Sequence, residues 1–280
     1  CYKWFILSFV KKQVLESPFI KKEFLQLINQ FSDSQDIKYE NFAISDSSVI
    51  NIGSREFVDY RPSVFFKNDI LKINNITKIK FDSLHYFQIQ ELVKSINFES
   101  IQIKKTDVSV NLILPATYRE YLQTLTKKKR HELNRKKRKF KDQIASFELK
   151  ESKESDIFEI FISQHRNSTG EKGKFMTKKV ESYFKNLLKM NGWKIYYTNT
   201  NEGVLSTAFC YENKIGCYLY NSSRNNDFNS VNPGIIINDL IIQHLIEKKL
   251  LFFDFLKGTE RYKYDLGGKS VQLYDVMMNL

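Results

Sequence analysis

A helix enclosed between a polar loop and a buried strand, residues 232–258, most constrains the fold of this chain. Pro233 has a preset φ and no N–H, so it suits the first turn of a helix, with Ser230 or Asn232 as the cap. Gly234 would let a ligand approach the free N–H groups of that turn. The pattern favours an anion site for phosphate or pyrophosphate, and the alternative is an ordinary core helix.

The helix and the strand that follow are both strongly apolar. The helix carries isoleucine and leucine on most sides, which predicts packing against a sheet. The segment 250–256 is apolar on both faces, as a central strand is. Asp254 interrupts it, and because a buried carboxylate without a partner is costly, we expect Lys257 or Lys263 to pair with it.

Composition places the chain among packed globular proteins. It has 280 residues, 42% of them hydrophobic, enough for one large domain or two ordinary ones. The three cysteines and four histidines have no metal-ligand spacing, so no metal is expected. No apolar run approaches the roughly 18 residues of a membrane span. We expect a cytoplasmic protein and leave open a peripheral contact with the inner face of the membrane. Because the sequence starts at Cys1 and not at Met, we also expect it to begin inside a longer sequence.

Residues 1–114 predict a mixed unit of strands and helices. The apolar run 4–10 predicts a buried strand, and 19–31 an amphipathic helix. Short alternating runs predict further strands at 42–44, 48–50, 64–66, 79–81 and 86–89. No catalytic constellation stands out in this half, whose sheet we expect to be incomplete.

Residues 115–280 form the second predicted unit, which opens with a basic helix. Thr117 and Glu120 form a capping box, and an apolar stripe continues to about residue 145. Residues 127–141 contain ten Lys or Arg and one Glu, a net of +9 out of the chain's +12. Three interpretations stay open: a nucleic-acid patch, a membrane-surface helix, and a helix beside a cleft for polyanionic substrates.

The rest of this unit has a readable order of elements. A strand at 147–149 precedes two helices, one starting at Ser155 and the other covering 179–190. Three antiparallel strands are predicted next, at 193–198, 205–211 and 215–220. His165 continues the inward stripe of the first helix, so it is either a core histidine or a cleft residue.

Four segments in this order resemble the CelD-like acetyltransferases of the GNAT superfamily, relatives of the FemAB-type aminoacyltransferases. They are the basic helix 128–139, His165-Arg166-Asn167 with Gly170, Asn232-Pro233-Gly234, and Phe253-Asp254-Phe255-Leu256-Lys257-Gly258-Thr259-Glu260-Arg261-Tyr262-Lys263. The last is the most specific; Asn167 stands where the family usually has Trp. The resemblance covers 115–280 and implies an α/β (α+β) fold of tandem GNAT-like domains, a mixed, mostly antiparallel sheet flanked by helices, residues 1–114 being the degenerate first domain.

The resemblance also implies a reaction and a set of site residues. It implies acyl transfer from acetyl-CoA or another acyl-CoA to an amine or hydroxyl, on a sugar or a cell-envelope polysaccharide precursor. The CoA pyrophosphate would lie at Asn232, Pro233, Gly234, Ile235 and Ile236, with the thioester carbonyl near Tyr218 and Tyr220. His165, Asp254, Glu260, Tyr262 and Lys263 are the catalytic candidates, His165 as base because its ordinary pKa is near neutral.

Two alternatives remain beside this interpretation. The first is a FemAB-like enzyme that takes its acyl group from aminoacyl-tRNA, which the basic helix would suit. The second, from another class, is a non-catalytic nucleic-acid-binding protein that uses residues 127–141. The oligomeric state stays unknown.

Overall fold

The computed structural model describes residues 2–31, 37–39, 41–64 and 75–280. In these ranges the helices are α1 Tyr2–Glu16, α2 Lys22–Phe31, α3 Tyr86–Ser95, α4 Tyr118–Thr124, α5 Lys127–Gln143, α6 Ser155–Arg166, α7 Glu171–Phe175, α8 Lys178–Lys189, α9 Pro233–Glu247 and α10 Arg261–Asp265. The strands are β1 Ile37–Lys38, β2 Phe42–Ser45, β3 Ser48–Asn51, β4 Lys78–Leu84, β5 Ser100–Ile113, β6 Phe147–Ser152, β7 Trp193–Thr200, β8 Gly203–Glu212, β9 Gly216–Arg224, β10 Phe252–Lys257 and β11 Lys269–Asn279.

The chain divides into two compact units. The first contains residues 1–109 and 270–280, and the second contains residues 110–269. The division therefore falls at 109/110, whereas the sequence predicted 114/115 with all later residues in the second unit. The last strand returns to the first unit because β11 forms an antiparallel ladder with β4, in which Met278 lies opposite Ile79.

The first unit packs helices on a mixed sheet in the order β1-β2-β3-β4-β11. Strands β3 and β4 are parallel, and the side chains of β2–β4 share a core with Ile89 and Leu92 of α3. The strands predicted at 42–44, 48–50 and 79–81 are confirmed; residues 65 and 66 of the predicted strand 64–66 lie outside the described residues.

Two predicted strands of this unit are wrong. The run 4–10 is part of helix α1, and the run 86–89 is the first turn of helix α3. A short apolar run fits a buried helix as well as a strand, and only its flanks decide. At α3 the decisive flank is the residue before the helix, His85, whose N–H donates to Gln88 Oε1 at 2.9 Å.

The second unit has the predicted order of elements. Its sheet runs β6-β7-β8-β9-β10, antiparallel except for the parallel pair β9 and β10. The apolar stripe from 118 to about 145 predicted one or two helices, and the structure has two, α4 and α5, since Leu125 is extended and Thr126 starts a new helix by capping the Lys129 N–H. The predicted fold class, mixed α/β with a mostly antiparallel sheet flanked by helices, is confirmed.

Candidate functional site

Strands β9 and β10 provide an opening in the sheet of the second unit. Their parallel register covers residues 216–218 and 252–254, and both strands continue beyond it. On the other side of β9 the register with β8 skips Tyr220, since Phe209 faces Asn221 and Cys210 faces Leu219. Tyr220 is therefore a bulge residue that is left out of the ladder between β8 and β9.

Helix α9 begins next to this opening, at the loop predicted to bind an anion. Asn232 occupies the cap position with a left-handed backbone, φ 58°, and its side chain makes no capping hydrogen bond. Ile235 and Ile236 donate their N–H groups to the Asn232 carbonyl, and Pro233 has no N–H. Among the described residues, the Gly234 N–H is therefore the amide of this turn that has no acceptor in the protein. The turn offers an anion fewer free backbone N–H groups than the sequence predicted.

The first turn of α9 is held in place from the sheet and from its own helix. The hydroxyl of Ser206 on β8 donates to the Pro233 carbonyl at 3.1 Å, and the Asn238 amide donates to the Gly234 carbonyl at 2.7 Å. Arg224, at the end of β9, lies over the same turn: a Cβ added to Gly234 would be 3.7 Å from Arg224 Cδ. The positive charge of Arg224 can therefore replace part of the anion binding that the backbone N–H groups do not supply.

A cleft of about 1090 Å³ opens at the start of α9. Its cationic walls come from α5 and α10, and its other lining residues include two from the predicted cofactor loop and one catalytic candidate. The lining is Lys127, Lys128, His131, Glu132, Lys136, Asn232, Ile235, Arg261, Tyr262 and Asp265. Sites for small molecules usually have roughly 300–1,000 Å³. The volume and the charge suit a large polyanionic ligand.

The basic helix α5 is attached to α9 by a buried charge. Lys137 Nζ lies 2.8 Å from Asp239 Oδ2, and the Tyr118 hydroxyl donates to Asp239 Oδ1 at 2.7 Å. Asp239 is buried, and its carboxylate together with burial raises the pKa of Tyr118, burial being the larger cause. One lysine of the basic run is therefore structural. Sequence reasoning missed this contact, although a carboxylate in the middle of an isoleucine-rich helix was a usable signal.

His165 is a buried residue that holds Asn221. Its Nε2 lies 3.1 Å from Asn221 Oδ1, which also accepts the Ser222 N–H at 2.7 Å. Since the Ser222 amide can only donate, the Asn221 atom is an acceptor and His165 Nε2 carries the proton. Burial, with the charge of Lys172 as the next cause, lowers the pKa of His165 to about 4. A buried, weakly basic imidazole fits a positioning role better than that of a general base.

Replacing His165 by Gln should reduce the acid sensitivity of the fold. The unfolded histidine takes a proton below about pH 6.5 and the folded one below about 4, so the wild type loses stability as pH falls through this window. The loss is expected to reach about 3 kcal/mol, and the variant should lack it. Urea unfolding at pH 7.5 and 4.5 measures the difference; equal losses in both proteins, or an equal effect of His131→Gln on the exposed face of α5, would contradict it.

The predicted catalytic residues of 254–263 lie at the end of β10. Asp254 is fully buried, and its Oδ1 accepts the N–H of Leu256, which has a left-handed φ of 59°. The buried ammonium of Lys263 donates to the Lys257 carbonyl and lies 3.0 Å from Glu260 Oε2. These contacts shape the turn after β10 and leave Glu260, 58% exposed, as its accessible carboxylate.

The remaining predicted residues divide between the core and the cleft. Tyr218 is buried against Phe252, and the Tyr220 hydroxyl bonds that of Tyr183 at 3.0 Å, so their rings serve packing. Ile236 and Pro233 are buried, whereas Asn232, Ile235 and Tyr262 line the cleft.

Membrane-spanning helices and metal-binding clusters were both sought among the residues that the structure describes. In residues 2–31, 37–39, 41–64 and 75–280, no helix is both long and apolar enough to span a bilayer. The same residues contain no group of three or more His, Cys, Asp or Glu side chains placed to hold a metal ion.

Comparisons with known proteins agree with the architecture of the second unit. Residues 127–264 match the family model described as acetyltransferase (GNAT) domain. No curated protein matches the sequence.

Three solved structures have a similar fold. A conserved protein of unknown function from Bacteroides thetaiotaomicron is 10% identical with a TM-score of 0.63, over 93% of this chain and 90% of its own. The C-terminal domain of a putative lysylphosphatidylglycerol synthetase from Agrobacterium fabrum is 12% identical with a TM-score of 0.57, over 93% and 90%. FemX is 12% identical with a TM-score of 0.55, over 74% and 73%. At these identities the likeness concerns the fold.

Proposed function

We propose that this chain, whose residues 127–264 match the acetyltransferase (GNAT) domain, transfers an acyl group from acyl-CoA to an amine or hydroxyl. The observation that carries the proposal is the cationic cleft at the start of α9, beside the point where the ladder of β9 and β10 ends. The nucleotide phosphates would occupy the cleft near Lys128, Lys136 and Arg261. The thioester would enter the opening between the strands.

The residues at the opening can support direct attack on a thioester. A backbone N–H of β9 beside the opening would bind the oxygen that becomes negative, and such donors change rates by about 10²–10³ in other enzymes. His165 would fix Asn221 and with it this segment of β9. Glu260 is the accessible carboxylate that we propose takes the proton of the acceptor. The turn after β10 that presents Glu260 would be held in its conformation by Asp254, Tyr262 and Lys263.

The proposed function also includes the molecule that accepts the acyl group. The resemblance of 253–263 to the CelD-like ending favours acetyl as the acyl group and a sugar or cell-envelope polysaccharide precursor as the acceptor.

Acetyl-CoA binding tests the donor. A ligand at 100 times its Kd stabilises the folded state by about 2.7 kcal/mol, which for a chain of this size corresponds to a rise in Tm of about 5–10 °C. S-acetylpantetheine, which has the thioester without the nucleotide phosphates, should produce a much smaller rise. No rise with millimolar acetyl-CoA would contradict an acyl-CoA donor.

A second candidate donor is aminoacyl-tRNA, and the volume and charge of the cleft are the specific observations that favour it. The similarity of the fold to FemX is compatible with this donor. Binding of tRNA with a steep salt dependence, together with no response to acetyl-CoA, would favour it. Binding of tRNA without any transfer would favour the non-catalytic alternative.

A further inference from the structure

A buried pair of hydroxyl groups connects the sheet of the second unit to the first turn of α9. Ser206 Oγ lies 2.9 Å from Thr198 Oγ1 and 3.1 Å from the Pro233 carbonyl oxygen. Both hydroxyl-bearing residues are fully buried. Since a carbonyl can only accept, the one hydroxyl proton of Ser206 is donated to Pro233, and Thr198 donates to Ser206. The hydrogen bonds therefore run in one direction, from β7 through β8 to α9.

A bulge in the ladder between β7 and β8 brings these groups together. The register shifts at Thr198, so that Leu205 and Ser206 both lie opposite this one residue. Bulges of this kind re-aim a side chain, and they are frequent next to active sites. The Ser206 N–H donates to Thr198 Oγ1 at 3.1 Å. Thr198 therefore supplies an acceptor for the bulged backbone, and the bulge presents the Ser206 hydroxyl to α9.

The Pro233 carbonyl belongs to the same peptide group as the Gly234 N–H. A peptide group is planar, and in its trans form the carbonyl and the N–H point in opposite directions, so a contact that fixes the carbonyl also fixes the N–H. A hydrogen bond accepted by the carbonyl polarises the group as well, which strengthens the N–H as a donor. Gly234 is half-buried, and in the described part of the chain its N–H has no acceptor. Asn232 and Ile235, on either side of it in the sequence, line the cleft.

We propose that Thr198 and Ser206 are positioning residues for the acyl donor. Through the Pro233 carbonyl they aim the Gly234 N–H at a phosphate oxygen of the donor and strengthen it as a hydrogen-bond donor. Both hydroxyls are buried behind α9, so neither touches the ligand itself. The inference rests on the proposed function, because it concerns how the cleft holds the phosphates of that donor.

Calorimetric titration of acetyl-CoA and of S-acetylpantetheine into Ser206 variants tests this role. Ser206→Ala is expected to raise the Kd of acetyl-CoA about fivefold, as the loss of one ordinary hydrogen bond does. It should leave the Kd of S-acetylpantetheine unchanged, because that ligand lacks the nucleotide phosphates. Ser206→Thr and Ser206→Val have nearly the same shape, and the threonine variant alone, which keeps the hydroxyl, should bind acetyl-CoA as the wild type does.

Thr207→Ala is the matched control on the same strand. Thr207 is the next residue of β8 and is also fully buried, but its hydroxyl bonds Ser223 Oγ at 2.6 Å and has no contact with α9. Its loss should therefore lower the stability of the fold and change the Kd of acetyl-CoA little. If the larger side chains at position 206 prevent folding, Ser206→Ala and Thr207→Ala still give the comparison.

The NMR amide signal of Gly234 shows whether the effect passes through this peptide group. Inorganic pyrophosphate is expected to shift that signal in a saturable way in the wild type, and to shift it less in Ser206→Ala. An unchanged Kd of acetyl-CoA in Ser206→Ala, an equal loss in Thr207→Ala, or a Gly234 signal that does not respond would overturn the positioning role. If acetyl-CoA does not bind the wild type, the acyl-CoA donor is wrong, and the response of Gly234 to pyrophosphate in the two proteins still decides whether Ser206 positions this N–H.

Discussion

Replacing Asp239 with Ala is expected to lower the free energy of unfolding by about 3–5 kcal/mol. Asp239 is 1% exposed and accepts both the Lys137 ammonium and the Tyr118 hydroxyl. Breaking a buried pair from one side leaves the other charge without compensation, and this is the main source of the loss. Urea unfolding of the purified chain measures it.

Companion variants show whether the pair is the cause. Lys137→Met combined with Asp239→Ala should recover part of the loss, because no buried charge is then left over. Glu247→Ala, near the other end of α9, is the matched control and should stay within about 0.5 kcal/mol of the wild type. A loss below 1 kcal/mol for Asp239→Ala would contradict the buried-pair account.

The fold of the second unit was predictable because its elements are marked locally. The reciprocal cap at Thr117 and Glu120 and the turns between β7, β8 and β9 depend on neighbours in sequence. The run 4–10 has no local capping or turn signal. It is helical as part of a longer helix that continues to Glu16. The return of β11 to the first unit rests on a ladder with β4, a contact between distant residues that composition and periodicity do not encode.

The candidate site shows the same limit at the level of side chains. The sequence predicted that Asp254 needs a partner, because a buried carboxylate without one is costly. It did not predict that the Leu256 N–H is such a partner, because a backbone amide leaves no mark in the charge pattern. Lys137 and Asp239 meet because α5 packs on α9, a contact between residues far apart in the sequence that no local pattern shows.

Replacing Lys128 and Lys136 together by Gln is expected to weaken acetyl-CoA binding about 100-fold. Both side chains line the cleft at the start of α9. Each removed hydrogen bond to a charged phosphate is worth about 1.5 kcal/mol, or about tenfold in Kd. Lys137 is left unchanged, because its contact with Asp239 would add a loss of stability.

Calorimetric titration of acetyl-CoA into three proteins tests most directly whether the cleft holds the acyl donor. They are the wild type, Lys128→Gln/Lys136→Gln, and Arg138→Gln/Lys141→Gln, which removes the same charge from the same helix outside the cleft. The account predicts one site in the wild type, a Kd about 100-fold higher in the cleft variant, and less than a fivefold change in the control. Equal weakening in both variants would show that helix charge alone attracts the ligand, and no binding to the wild type would contradict the acyl-CoA donor itself.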